Sequence, residues 1–242
     1  MKIDIIGKGN VGIHLYKAFH GKADVQPVDS RSLKNLRHDS DLYIICVSDT
    51  AIREVASKLC CLINRNSVIA HTSGTTPLSV FEGLDVNAGV FYPLQTFSKS
   101  RELDYTEIPI FIEAGNQTAA KTLTEAAHIM GCKVKHIDSE QRKHLHIGSI
   151  LACNFVNHLW TLSDRYLKAH NLDFESLLPL IKETYSKISE INPYDAQTGP
   201  AVRNDEKTLR SHLDMLKEDG NLREIYRILS DSIKNTHNIG KP

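Results

Sequence analysis

The chain has 242 residues, 41% of them hydrophobic and 24% charged, which supplies a proper core for one large domain or two modest ones. Lys plus Arg equals Asp plus Glu at 29 each, so no net field favours nucleic acid or an acidic membrane surface, and neither partner is expected. No apolar run approaches the roughly 18 residues that span a bilayer. "MKIDIIGKGNVG" breaks into glycines too early for a secretory signal, so a cytoplasmic location is expected. The five cysteines (Cys46, Cys60, Cys61, Cys132, Cys153) are odd in number and lack CxxC spacing, so neither a disulfide framework nor a metal site is expected.

In chain order, the run Ile3 to Ile6 meets Gly7 at once, and a helical pattern follows through Val11, Leu15, Ala18 and Phe19. Val25 to Val28 reads as a weaker strand, because Pro27 cannot donate to a sheet ladder. "LYIICV" is a continuous apolar run of the kind a strand buried on both faces carries. "AIREVASKLC" has helical spacing, and "SVIAHT", "AGVFYPL" and "IPIFIEA" are strands. "TAAKTLTEAAHIMG" is a helix closed by Gly131, and "CKVKHI" is a last strand. Such alternation predicts a mainly parallel sheet with helices on its faces.

From Asp138 nearly everything has helical period. Asp138 with Gln141 three residues on has the form of a capping box. A helix over 139–170, about 45 Å long, spreads its apolar positions too widely for a surface helix. The centre of a helical domain or a dimer interface is expected. Further helices are predicted over 174–191, 206–217 and 222–234. The fold class is therefore α/β: a Rossmann-type parallel sheet domain over 1–137, then an all-α domain over 138–242 for substrate binding or dimerisation.

"GKGNVG" matches GxGxxG and stands where that pattern has meaning, directly after the first strand and opening the first helix. Gly7 permits the tight turn, Gly9 lets backbone approach a pyrophosphate, and Gly12 allows close helix–strand packing. Asn10 and Val11 complete the turn, whose helix N-terminus faces the phosphates. A methyltransferase binding S-adenosylmethionine is a less favoured reading of the same turn. At the end of the second strand, Asp29 would hold the ribose hydroxyls of NAD, or Ser30 and Arg31 would receive the 2′-phosphate of NADP. We take NADP as the expected cofactor, with NAD the alternative. Val47 and Ser48 in "VSDTAI", and Thr72 in "HTSG", end strands where an open α/β sheet binds ligands, under the nicotinamide half.

"IIGKGNVG", "DLYIICVSDTAI", "VIAHTSGT" and "GVFYPLQTFS" together resemble the Rossmann domain of deazaflavin-dependent NADP reductases and pyrroline carboxylate reductases. "DSEQRKHLHIGSILACNFVNHL", "LLPLIKET" and "DAQTGPAVRND" resemble the helical domain attached to a little-characterised family of Rossmann-like NADP oxidoreductases. The resemblance spans nearly the whole chain. It implies a two-domain, NADP-binding, dehydrogenase-like protein that is a homodimer through its helical part, and it implies no substrate.

Hydride chemistry on a nicotinamide needs a partner for the proton. His71, at a strand end, has the intrinsic pKa for that task, or is a strand-end histidine bonded to backbone. Tyr92 and Gln95 in "YPLQTF" either face a small-molecule substrate or pack a domain junction. "KHLHIGSILACNFVNHL" places His144, His146, Asn154 and His158 on one helix, with His144 and Asn154 the chosen catalytic candidates. Gly148 in mid-helix costs roughly 1 kcal/mol against Ala, which suggests close approach of a ligand or another backbone. In "NPYDAQTGPAVRND", Thr198 and Arg203 are substrate-contact candidates, while Asp205 is either part of that wall or the cap of the next helix. The expected activity is NADP-dependent reduction or dehydrogenation of a small carbonyl or imine compound between the domains. Its rival is a dinucleotide-binding sensor or scaffold without turnover.

Overall fold

The computed structural model describes residues 1–238. Seven strands form one sheet: β1 (Lys2–Ile6), β2 (Asp24–Val28), β3 (Leu42–Ile45), β4 (Val68–His71), β5 (Asn87–Pro93), β6 (Ile110–Ala114) and β7 (Val134–His136). Their order is β2-β1-β3-β4-β5-β6-β7. Successive neighbours are parallel except β5 and β6, which pair antiparallel with Phe91 opposite Ile112. The link between these two strands holds only a 3₁₀ turn (Tyr105–Glu107) and no crossover helix, so the chain comes back in the opposite direction. β2 is an edge strand, the place in a sheet where Pro27 is tolerated.

Helices α1 (Asn10–Phe19), α2 (Ile52–Leu59) and α3 (Gln117–Met130) follow β1, β3 and β6. Ile3, Ile5, Leu42, Ile44 and Phe91 pack with Leu15, Phe19, Leu123 and Ala127 in one apolar cluster. Ile6, Tyr43, Ile45 and Ile69 pack with Ile52, Val55, Leu59 and Phe81 in another. Alternate residues of each strand thus serve opposite faces, and that is why the strand sequences read as continuous apolar runs. The first strand ends, after β1, at a reversal of strand order between β1 and β3, where open α/β sheets leave a crevice for ligands.

Helix α4 (Ser139–Ser149), a π turn (Ile150–Asn154) and α5 (Phe155–Ala169) follow one another without intervening coil. Then come α6 (Leu178–Glu190), α7 (Pro193–Ala196), α8 (Glu206–Met215) and α9 (Gly220–Asn238). By packing, the chain divides into two compact units that meet at Phe155 and Val156. The expected boundary at 137/138 marks the end of the sheet, but compact packing continues through α4. The cause is Arg142, a fully buried cation whose guanidinium pairs with Glu113 of β6 and donates to the carbonyl of Thr76. Ser139 adds bonds to the same carboxylate and to the Leu78 amide. The last four residues of the expected 138–242 domain lie outside the described residues.

In the second unit, α8 and α9 pack against each other, with His212 Nδ1 2.7 Å from the Tyr226 hydroxyl and Lys234 3.0 Å from Glu206. Among the described residues, no helix is long and apolar enough to cross a membrane.

Candidate functional site

Gly7, Lys8, Gly9, Asn10 and Val11 line a cavity of about 670 Å³, together with Ser30, Arg31, Cys46, Val47, Ser48, Glu54, Val55, Lys58 and Thr72. The three glycines have separate reasons. Gly7 has φ +118°, and a Cβ there would sit 2.3 Å from the Cys46 carbonyl oxygen. A Cβ on Gly12 would sit 2.3 Å from the Gly7 carbonyl oxygen, so this glycine lets α1 close onto the turn. Gly9 is different: its Cβ would meet nothing nearer than 4.0 Å. Space kept over a glycine that no protein atom uses suits the close approach of a phosphate. Helix α1 starts at Asn10 with no side-chain cap, which leaves its first amide groups for an anion.

Asp29 does not line this cavity. Its carboxylate accepts from the amides of Arg31 and Ser32 at 3.0 and 3.1 Å, which holds its pKa below the ordinary carboxylate value. It shapes the turn that presents Ser30 and Arg31 to the cavity. All of these loop bonds fall on the one oxygen Oδ1. Lys8 and Lys58 add two further cations, Lys58 held at 2.6 Å by Glu54.

A second cavity, about 930 Å³, shares Val11, Val47 and Thr72 with the first. Its walls are the strand-end loops (Asp49, Ser73, Gly74, Thr75), the end of β5 (Tyr92 to Phe97), and α4 with its π turn (His144, His146, Gly148, Ser149, Asn154). Every one of these belongs to the first compact unit. A Cβ on Gly148 would touch no protein atom within 4 Å, so its missing side chain widens the cavity and serves no packing contact. The π turn has the Phe155 amide bonded to the Ile150 carbonyl, one residue further back than in an α-helix. The wider turn brings both Ser149 and Asn154, five apart, to the same cavity.

The side chains that meet here centre on Tyr92. Its hydroxyl lies 3.0 Å from His146 Nδ1, with the two rings edge to face at 6.2 Å. Burial pushes the Tyr92 phenol pKa up, against smaller opposing effects of Ser149 and Arg142. A Cβ on Gly74 would come within 2.5 Å of His146 Nδ1, so the imidazole occupies room that only glycine leaves.

His71 has the geometry of the second reading left open for it, a strand-end histidine bonded to backbone. It lines neither cavity and is fully buried beneath the turn that follows it. Its Nδ1 accepts from the Ser73 amide at 3.1 Å and its ring stacks on Phe81 at 5.6 Å. Burial first, and the Arg142 charge second, lower its pKa to about 4, so the ring is neutral near pH 7. Of the other sequence candidates, Gly7, Gly9, Asn10, Val11, Ser30, Arg31, Val47, Ser48 and Thr72 meet in the first cavity, and Gly12 supports it from below. Tyr92, Gln95, His144 and Asn154 meet in the second. Thr198 and Arg203 are exposed residues of the second unit, and Asp205 caps α8 by accepting from the Thr208 amide at 3.1 Å. Missed as site residues were His146, Ser149, Gly74, Lys8 and Lys58. His146 had a signal, its place in the histidine cluster; Gly74 had none without the fold.

A family profile described as a domain of unknown function (DUF2520) matches residues 108–233, more than half of the chain. The chain belongs to the DUF2520 family. No curated protein matches it. Among solved structures, a Bacteroides fragilis protein described as a "putative NADP oxidoreductase" is 38% identical, with 97% of this chain and 98% of that one covered and a TM-score of 0.89. A Thermotoga maritima protein is 18% identical over 98% of each chain, with a TM-score of 0.73. The reductive aminase of Aspergillus terreus, solved with NADPH and ethyl levulinate, is 12% identical over 99% of this chain and 94% of that one, with a TM-score of 0.72. The last two share the fold of this DUF2520 chain: a Rossmann domain followed by a helical part.

Proposed function

We propose that this DUF2520 protein is an NADP-dependent oxidoreductase of a small carbonyl or imine compound. The observation that carries the reading is that the two cavities adjoin, with Val11, Val47 and Thr72 lining both. The first fits a dinucleotide: an open Gly9, an uncapped helix N-terminus, and Ser30 and Arg31 where a 2′-phosphate would lie. The second then begins where the nicotinamide ring would end. The Bacteroides fragilis relative, named as an NADP oxidoreductase, supports the same cofactor. Bound there, the dinucleotide supplies hydride to one face of the substrate. The chain's own part is to orient both molecules, to exclude water with Leu94, Phe97 and Ala152, and to handle the proton with polar groups of the second cavity, among them His144 and Asn154. His71 supports the Ser73 turn in this scheme. Thr198 and Arg203 are kept as proposed substrate contacts from the helical unit.

We place the chain in a homodimer formed through that unit, whose apolar side chains are largely uncovered: Tyr185 is 71% exposed and Leu180 63%. The cofactor reading is tested by titrating Arg31→Ser and the unchanged protein with NADPH and NADH, followed by nicotinamide fluorescence. Loss of a charge-assisted phosphate contact should weaken NADPH about tenfold or more and leave NADH nearly unchanged. Equal weakening of both, or binding of neither to the unchanged protein, would sink it.

A further inference from the structure

We infer that Tyr92 and His146 are the proton-transfer pair of the second cavity, and that the substrate is a carbonyl compound interconverted with its alcohol. The inference rests on the oxidoreductase reading above and narrows it.

The pair is built: two contacts hold the imidazole and a third anchors its backbone. The Tyr92 hydroxyl lies 3.0 Å from Nδ1, the Gly74 backbone packs against the ring where any other residue would collide, and Ser149 Oγ donates at 2.7 Å to the His146 carbonyl. Tyr92 is rooted in β5, where it packs with Phe111, and it lines the cavity. Burial keeps the phenol protonated, and a neutral phenol can donate to a substrate oxygen. His146 is half-buried and lines the same cavity.

The chemistry decides between carbonyl and imine. A protonated imine accepts hydride and leaves as a neutral amine, so it needs no proton at that step. A neutral carbonyl does. Hydride adds to the carbonyl carbon, the C=O π bond opens, and its electron pair takes the Tyr92 proton at oxygen. The phenolate then recovers a proton from water through the His146 ring, whose Nδ1 lies 3.0 Å from the hydroxyl. The reductant is a reduced nicotinamide dinucleotide, which gives up two electrons and leaves oxidised; the reverse sequence oxidises an alcohol. Asp49, the carboxylate on the cavity wall, is engaged at 2.5 Å by the Thr75 hydroxyl.

The charged and titratable groups around the pair are Arg142 and His144 of α4, Asp49 after β3, and Glu113 of β6 behind Arg142. The full chain, Tyr92→Phe and His146→Gln are compared with NADPH against short aldehydes and ketones and, separately, stable cyclic imines. Carbonyls should turn over, and Tyr92→Phe should lower kcat about 100-fold or more while NADPH affinity and melting temperature hold. His146→Gln should lose less activity than Tyr92→Phe, with NADPH affinity held. In the cofactor-free protein, the ¹⁵N resonance of His146 Nδ1 should move on Tyr92→Phe. Turnover of imines alone, carbonyl turnover within a few-fold in Tyr92→Phe, or an unmoved Nδ1 resonance overturns the pair and leaves the oxidoreductase reading standing. NADPH binding without turnover of either class removes that reading and the pair with it.

Discussion

His71 and His146 both support the turn after β4, from different depths, and depth sorts their chemistry. His71 accepts the Ser73 amide from below and is fully buried; His146 rests on Gly74 and opens to the cavity. A proton carrier must exchange protons with its surroundings, which a sealed ring beside the Arg142 cation does poorly. The sealed ring should instead shape stability. Its folded pKa is depressed to about 4 from an ordinary 6.5, so between these values the unfolded chain binds the proton and the folded one does not. Its stability contribution is therefore full above pH 6.5 and lost as pH falls toward 4, in total about 3 kcal/mol. Denaturant unfolding at a series of pH values should show this slope in the unchanged protein and not in His71→Asn. Parallel pH curves would mean that the ring titrates normally. Sequence placed His71 correctly at a strand end but could not give its depth, because the stacking on Phe81 and the nearness of the Arg142 charge exist only once the chain is folded.

At the scale of elements, α4 is the device that brings a helix to the sheet edge as a cavity wall. Asp138 accepts from the Gln141 amide at 2.8 Å and Gln141 Oε1 accepts from the Asp138 amide at 3.0 Å, the reciprocal box read in the sequence. Asp138→Ala should cost about 1 kcal/mol. That corresponds to a melting temperature lower by about 2–4 °C for a chain of this size. An unchanged melting temperature in scanning calorimetry would show that Arg142 and Ser139 alone hold the helix start. The central strands were legible nearly residue by residue, because continuous burial on both faces leaves an apolar run. Two features were not. The antiparallel β6 depends on what its long connection fails to contain, and the π turn adds one residue without any compositional mark. That added residue aligns Ser149 with Asn154, whereas helical counting pairs Asn154 with His158.

For the whole molecule, the two units differ in how well they bury their own apolar residues. Around α6, Leu178, Leu180, Tyr185, Ile188 and Ile191 are each about half exposed or more, along one broad stripe of the helix and its end. Among the described residues from Val156 onward, the buried apolar side chains are Leu162, Ala201, Leu209 and Leu216. A stripe of this kind is a poor solution for an isolated chain. A second copy would supply the matching stripe, since one patch then serves both partners across a two-fold axis. A stable dimer needs roughly 1,200–2,000 Å² of buried surface, within reach of side chains this large and this exposed. Ile188→Glu tests this cleanly. At 47% exposure in the single chain, the new charge should disturb its fold little, but a buried interface would have to desolvate two of them. Light scattering after size exclusion should give twice the 27.2 kDa chain mass for the unchanged protein and the single mass for Ile188→Glu, with helix content preserved in both. A single mass for the unchanged protein at micromolar concentration would remove the dimer and leave the stripe needing a different partner.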